Sequence, residues 1–347
     1  LLQGFVEYLL ILGLALAALY AWGIGANDMA NIIATPIGGG AIKRKHAILL
    51  YVTFLVLGAL IQGHMVMKTL GKGVVRELDL VGAVAASLAA ITWVYVASLL
   101  GLPISTSLSA TSGVIGVGLA YVVKSGDWSH LNLGVISKII VSWVASPVLS
   151  MFTAMLVYVF LNRLFSTRRQ RVVEVLTALA VAWDGYSFGA NDVANATGVY
   201  VAVVGGTALA HYTLGLGISE SLFLALYGAI FIALGGVVMG WRVVDTVGYK
   251  ITRLDPVGGL TEALSSALVV WLFTTIPYMV FGYGIPISTT YASVAAVFGI
   301  GVVKSRSLRR GLNIKLTILI VLSWILTLPV AAILGTLYYF TLYYVTG

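Results

Sequence analysis

The sequence predicts an all-α polytopic membrane protein: an inverted-topology repeat with broken helices or re-entrant hairpins and roughly 10–12 membrane segments. Three observations carry that reading. The chain is apolar and nearly free of charge, a polar heptad occurs in it twice, and the basic loops change sides between the two copies. Sixty per cent of the residues are hydrophobic and nine per cent charged, against about a quarter charged in soluble domains. Runs such as 47–62, 84–100, 139–161 and 316–345 are long enough to cross a hydrocarbon core of about 30 Å. They do not alternate in polarity, which excludes a β-barrel.

The formal charge is +8, from 20 Lys and Arg against 12 Asp and Glu. Those basic residues cluster in short loops, so they report topology, and nucleic acid is excluded as a partner. There is no cysteine and hence no disulfide, thiolate or Cys-based metal site. The first 24 residues are apolar but lack a basic leader and a cleavage motif, so they read as a first helix.

In chain order, a helix from about Val6 to Trp22 feeds Gly25-Ala26-Asn27-Asp28-Met29-Ala30-Asn31, followed by Thr35-Pro36, three glycines and the basic loop Lys43-Arg44-Lys45. A second helix covers 47–67, and a polar connector runs from Lys68 to Asp79. The run 80–100 ends at Pro103-Ile104-Ser105-Thr106-Ser107. Small residues continue to Val123, and a long apolar stretch reaches Asn162. The basic segment Arg163 to Arg171 divides a first repeat, 1–162, from a second, 172–347.

The pattern then restarts. Gly189-Ala190-Asn191-Asp192-Val193-Ala194-Asn195 repeats the heptad, and Pro286-Ile287-Ser288-Thr289-Thr290 repeats the proline motif. Thr246-Val247-Gly248-Tyr249 answers Thr69-Leu70-Gly71-Lys72, Val302-Val303-Lys304-Ser305 answers Val122-Val123-Lys124-Ser125, and Ser323-Trp324 answers Ser142-Trp143. Five matches in one order indicate a duplication. Lys43, Arg44 and Lys45 follow the first heptad, whereas the loop from Thr207 to Thr213 has no Lys or Arg. Lys304, Arg306, Arg309, Arg310 and Lys315 follow the second proline motif, whose counterpart at 124–138 has only Lys124 and Lys138. Equivalent loops therefore fall on opposite sides, placing 43–45, 163–171, 241–256 and 304–315 inside and both termini outside the cell.

Each proline motif ends one helix and lets Ser or Thr cap the next. Between apolar runs, this reads as a hairpin whose tip offers unpaired N–H groups, hydroxyls and a positive dipole end, which together suit an anion. The bland alternative is a proline kink with back-bonded hydroxyls, which a symmetric pair of motifs argues against. The anion set is Asp28, Ser105, Thr106, Ser107, Asp192, Ser288, Thr289 and Thr290.

In each heptad the Asp and the second Asn are three residues apart and share a helix face. A lone intramembrane Asp costs roughly 2.5–3.5 kcal/mol on insertion scales, so two require a purpose. Carboxylate, amide and backbone oxygens, the last freed by unwinding beside glycine, suit Na⁺. The cation set is Asn27, Asp28, Asn31, Thr35, Asn191, Asp192, Asn195 and Glu262, and Asp184 either lines the same path or caps a kink. Carboxylates tolerate an anion that brings protons: phosphate does near neutral pH, whereas sulfate leaves buried acceptors unpaired. No HExxH, Gly-x-Ser-x-Gly or metal cluster supports an enzyme, and no cofactor is expected.

The paired heptads and paired Pro-Ile-Ser-Thr motifs, with Val243-Val244-Asp245-Thr246-Val247-Gly248 and Gly259-Leu260-Thr261-Glu262, resemble the inorganic phosphate transporter (Pit) family of secondary carriers. The resemblance spans nearly the whole chain. It implies symport of inorganic phosphate with Na⁺ or H⁺ across the cell membrane, an inverted repeat with broken helices, and a homodimer. Phosphate and ion roles carry over onto Asp28, Asn31, Asp192, Asn195 and the hydroxyl residues at 105–107 and 288–290. Two family features are missing: a His before the second heptad, where Phe188 stands, and a Glu near Leu55. Losing two titratable groups favours Na⁺ over H⁺ as the coupling ion. Proton-coupled phosphate or metal–phosphate symport, a sulfate carrier and an anion channel are the alternatives.

Overall fold

The computed structural model describes residues 2–100, 104–165, 170–204, 213, 215, 217–252, 254–307 and 311–346. Pro103, most of the loop Thr207 to Thr213, Arg309, Arg310 and part of the basic segment Arg163 to Arg171, all used in the sequence reading, lie outside these residues. The described chain is helical, with one isolated antiparallel bridge between Val75 and Leu131. Its helices are α1 (Leu2–Gly38), α2 (Arg44–Gln62), α3 (His64–Lys68, continued by a π turn at Thr69–Gly73), α4 (Leu80–Leu99), α5 (Thr106–Ser125) and α6 (Leu133–Leu164). The second half supplies α7 (Gln170–Val201), α8 (Glu220–Met239), α9 (Trp241–Tyr249), α10 (Pro256–Phe281), α11 (Thr289–Ser305) and α12 (Ile314–Thr346).

Eight of these, α1, α2, α4, α5, α6, α8, α10 and α12, are long and apolar enough to cross a membrane. The 32-residue α7, whose apolar run carries the polar heptad, and the 17-residue α11 complete the bundle. Leu156, Phe160, Val141 and Ile325 are among the large apolar side chains left on its outer surface, where lipid rather than water is the solvent.

Helix directions give the topology. Gly13 of α1 lies against Tyr200 of α7, Asp28 is an electrostatic neighbour of Asp192, and the loop at 40–43 faces Gln170 and Glu174. Rising numbers on α1 thus meet falling numbers on α7, so the two copies of the heptad helix run antiparallel. The repeats are inverted, as the loop charges predict. They also interlock: α1 packs on α8 of the other repeat, and α7 on α2.

Glycine makes those two crossings possible, because backbones meet there. A Cβ on Gly25 would stand 1.9 Å from the Ile232 carbonyl oxygen, and one on Gly189 2.0 Å from that of Leu55. The contact recurs between Gly248 and the Ala34 carbonyl oxygen, 2.7 Å, and between Gly71 and that of Gly198, 2.6 Å. Each pair is the other's image under the repeat.

The basic loops gather at one end. Arg44 reaches Asp245 at 3.7 Å and lies over the Trp241 ring, and Lys304 reaches Asp255 at 2.9 Å. Since α10 starts beside Asp255 and α11 ends at Lys304, their hairpin leaves and regains that end. Between them the chain turns at Gly282, φ +76°, and re-enters as extended backbone. There Ile285 N–H donates to the Phe273 carbonyl at 3.1 Å. The α4–α5 hairpin is anchored at the opposite end, where the Tyr121 hydroxyl accepts from Asp79 N–H at 3.1 Å. Two hairpins therefore enter the bundle from opposite ends.

One expectation is corrected. The backbone is not unwound beside the heptads: α1 and α7 run through both without a break. Gly25 and Gly189 serve close packing instead, and the breaks fall between α4 and α5 and between α10 and α11. The heptads consequently contribute side chains, not freed carbonyls.

Candidate functional site

The hairpin tips meet the two heptads at the centre of the bundle, where Asp28 and Asp192 are fully buried and Asn27, Asn31, Asn191 and Asn195 nearly so. The first turns of α5 and α11 begin there. Ser105 caps α5 by accepting from Leu108 N–H at 3.0 Å, and Ser288 caps α11 by accepting from Tyr291 N–H at 3.0 Å. These two hydroxyls of the anion set are therefore occupied in holding the turns. The next residues point at the carboxylates.

Thr106 donates to Asp28 Oδ2 at 2.6 Å, and Thr290 reaches Asp28 Oδ1 at 3.1 Å. Asn31 Nδ2 donates to Thr290 Oγ1 at 3.1 Å and lies 3.2 Å from Asp28 Oδ1. On the other side Ser107 donates to Asp192 Oδ1 at 2.9 Å, while Asn195 Nδ2 lies 2.6 Å from the same oxygen and 2.9 Å from Ser107 Oγ. The wiring is crossed. A hydroxyl from the second repeat serves Asp28, and one from the first repeat serves Asp192.

The symmetry is imperfect. Thr289 faces Asp192 where its counterpart Thr106 bonds Asp28, yet Asp192 Oδ2 has no hydrogen-bond partner. Asn27 Nδ2 donates to Ser98 at 3.2 Å, and Asn191 Nδ2 to Thr274 at 2.8 Å and the Ile285 carbonyl at 3.1 Å. Each spends its donor on scaffolding and leaves its oxygen unpaired: Asn27 Oδ1, Asn191 Oδ1 and Asn195 Oδ1 are all buried without partners. Buried acceptors are rarely left so. Four bare oxygens around two carboxylates make a donor set for a hard cation.

A second acidic pair lies towards the basic end. Glu262 is fully buried on α10; it accepts from Ser293 at 2.6 Å and from the Thr35 hydroxyl. Asp184, on α7 and 2 % exposed, is its electrostatic neighbour and faces Ser266. Its Oδ2 is unpartnered. Asp184 sits inside an unbroken helix, so it caps no kink.

Every residue of the two predicted sets is thus found in this region, with Thr35 and Glu262 displaced from the centre. Missed were Ser98, Thr274 and Ser293, single hydroxyls in apolar runs that carry no local signal. Tyr20 was also missed. It is 1 % exposed, and its hydroxyl donates to the Thr106 carbonyl at 2.7 Å. Placing the heptads in register would have exposed it, since Tyr20 precedes Asp28 by the eight residues that separate Asp184 from Asp192.

Known proteins are similar to this chain in sequence and in fold. The chain is similar to putative phosphate permeases of Thermococcus kodakarensis, 29 % identical over 91 % of this chain and 93 % of the relative, and Pyrococcus horikoshii, 29 % identical over 94 % and 96 %. It is also similar to the sulfate permease CysP of Bacillus subtilis, 30 % identical over 82 % of this chain and 75 % of that one. Among solved structures, a sodium-dependent phosphate transporter superposes with a TM-score of 0.79 at 27 % identity, covering 97 % of this chain and 99 % of that one. The model of the phosphate transporter family matches residues 24–335, which hold both heptads and both hairpins. The chain belongs to the phosphate transporter family.

Proposed function

We propose that the chain is a secondary active carrier that moves inorganic phosphate by sodium-coupled symport, with alternating access around the Asp28–Asp192 centre. One observation carries the reading: two helix N-termini, from hairpins entering at opposite ends, close on two buried carboxylates. Phosphate is held by the first-turn N–H groups of α5 and α11 and by the hydroxyls of Thr106, Ser107, Thr289 and Thr290. Asp28 and Asp192 accept its protons. The bare amide oxygens of Asn27, Asn191 and Asn195, with the free Asp192 Oδ2, supply hard donors for Na⁺. Glu262 and Thr35 extend that path towards the basic end. The basic loops support an orientation in the plasma membrane with that end in the cytoplasm and both ends of the chain outside.

Radiolabelled phosphate uptake into proteoliposomes tests this, with Na⁺, K⁺ and pH gradients imposed one at a time. Uphill, saturable uptake driven by Na⁺ alone is expected. Uptake that follows the pH gradient and ignores Na⁺ would assign proton coupling, and a flux that only runs downhill would assign a channel. Sulfate is the second reading, favoured by the likeness to a sulfate permease. It is separated by competition: a tenfold excess of sulfate is expected to leave phosphate uptake nearly unchanged, because unpaired buried acceptors make sulfate about 100-fold the weaker ligand.

A further inference from the structure

The two halves of the centre are held differently, and the difference lies outside the residues that touch it. Tyr20 and Asp28, two turns apart on α1, grip the same residue of α5. Asp28 takes the Thr106 hydroxyl and Tyr20 donates to the Thr106 carbonyl. The first turn of α5 is stitched to α7 as well, through Ser107 to Asp192 and Asn195 to Ser107.

In the second repeat the position of Tyr20 is taken by Asp184. Its Oδ2 has no partner, and the charges acting on it are Glu262 and Asp192, both acidic. Thr289 meets α7 through its side chain, which faces Asp192, and Thr290 is tied to Asp28 and Asn31 on α1 and to the Ile104 carbonyl. Among the described residues no side chain donates to the Thr289 carbonyl as Tyr20 does to that of Thr106. The chain just before that turn is anchored, by Asn191 at the Ile285 carbonyl and by Trp143 Nε1 at the Pro286 carbonyl, 3.3 Å.

We propose that Tyr20 is a positioning residue that holds the α5 half of the phosphate site in its binding geometry, through a grip on a first-turn carbonyl that the α11 half lacks. This rests on the phosphate-carrier reading above. A half that is preformed sets affinity, because its contacts exist before the substrate is moved.

Kinetics of phosphate uptake by Tyr20→Phe, with Na⁺ saturating, test the assignment. Tyr20→Phe removes one hydroxyl and keeps the ring, so elution as a single species checks folding. Its KM is expected to rise at least fivefold with Vmax within twofold of the unmutated chain. A Tyr20→Phe chain with unchanged KM, whether or not Vmax falls, would show at most a packing role and overturn the proposal. Uptake by the unmutated chain is read in the same vesicles: phosphate transport there with that contrary pattern rejects the assignment of Tyr20 and leaves the carrier reading standing.

Discussion

The Thr290 hydroxyl lies 3.1 Å from Asp28 Oδ1, joining residues 262 positions apart in the chain. It is also 3.1 Å from the Ile104 carbonyl, so one proton serves two acceptors, and it accepts from Asn31. Through this one hydroxyl the α11 hairpin, the α5 hairpin and the first heptad are in mutual contact. The inverted repeat is what brings them there.

Thr290→Val keeps the shape and deletes the hydroxyl. A hydrogen bond to a charged group contributes about 1.5–3 kcal/mol, which converts to about 10–100-fold in affinity. The half-saturating phosphate concentration is expected to rise by that factor, and Thr290→Ser is expected to restore most of it. Uptake kinetics in proteoliposomes read both.

The glycine crossings should be intolerant of a methyl group. Gly25→Ala and Gly189→Ala place Cβ within 2.0 Å or less of a backbone oxygen that cannot swing aside. Overpacking of this kind costs about 1–3 kcal/mol, so a Tm several degrees lower is expected in detergent for each. Gly134→Ala, whose new Cβ meets only Asn132 Oδ1 at 3.5 Å, is the control and should leave Tm unchanged or raised.

Asp255 caps α10 through Gly258 N–H at 2.8 Å and takes Lys304 at 2.9 Å and the Tyr158 hydroxyl at 3.0 Å. Burial pushes its carboxyl up, but these partners together hold it below the usual carboxylate range. A depressed carboxylate contributes stability above its unfolded pKa, near 3.9. That contribution is lost as pH falls through the folded value. With both side chains more than a third exposed, the solvent-screened pair is expected to add about 0.2–1 kcal/mol. Asp255→Asn keeps the cap acceptor and removes the charge. Its Tm deficit should be present at pH 7, shrink in high salt, and close below about pH 4.

The fold was legible wherever a physical constraint repeats along the chain. Apolar runs, the doubled heptad and the side-switching Lys and Arg clusters each state a requirement of the bilayer, and together they imply the antiparallel α1 and α7. The proline motifs were legible because Ser105 and Ser288 are local caps. The course of the heptad backbone was not. Gly25 allows either an unwound turn or a tight crossing, and only the partner helix, 207 residues away at Ile232, decides for the crossing. Thr35 with Glu262 and Tyr20 with Thr106 are likewise pairings of distant chain segments, invisible to spacing on one helix.

Asp28 and Asp192 carry the central assignment, and the direct measurement is Na⁺-driven phosphate uptake by Asp28→Asn and Asp192→Asn in proteoliposomes. Each variant keeps the side chain's size and removes the charge that meets the Thr106, Thr290 and Ser107 hydroxyls. Losing a buried charged acceptor at about 2–3 kcal/mol predicts a fall in uptake of about 30–100-fold for each. Uptake at the unmutated rate by both variants would contradict the assignment.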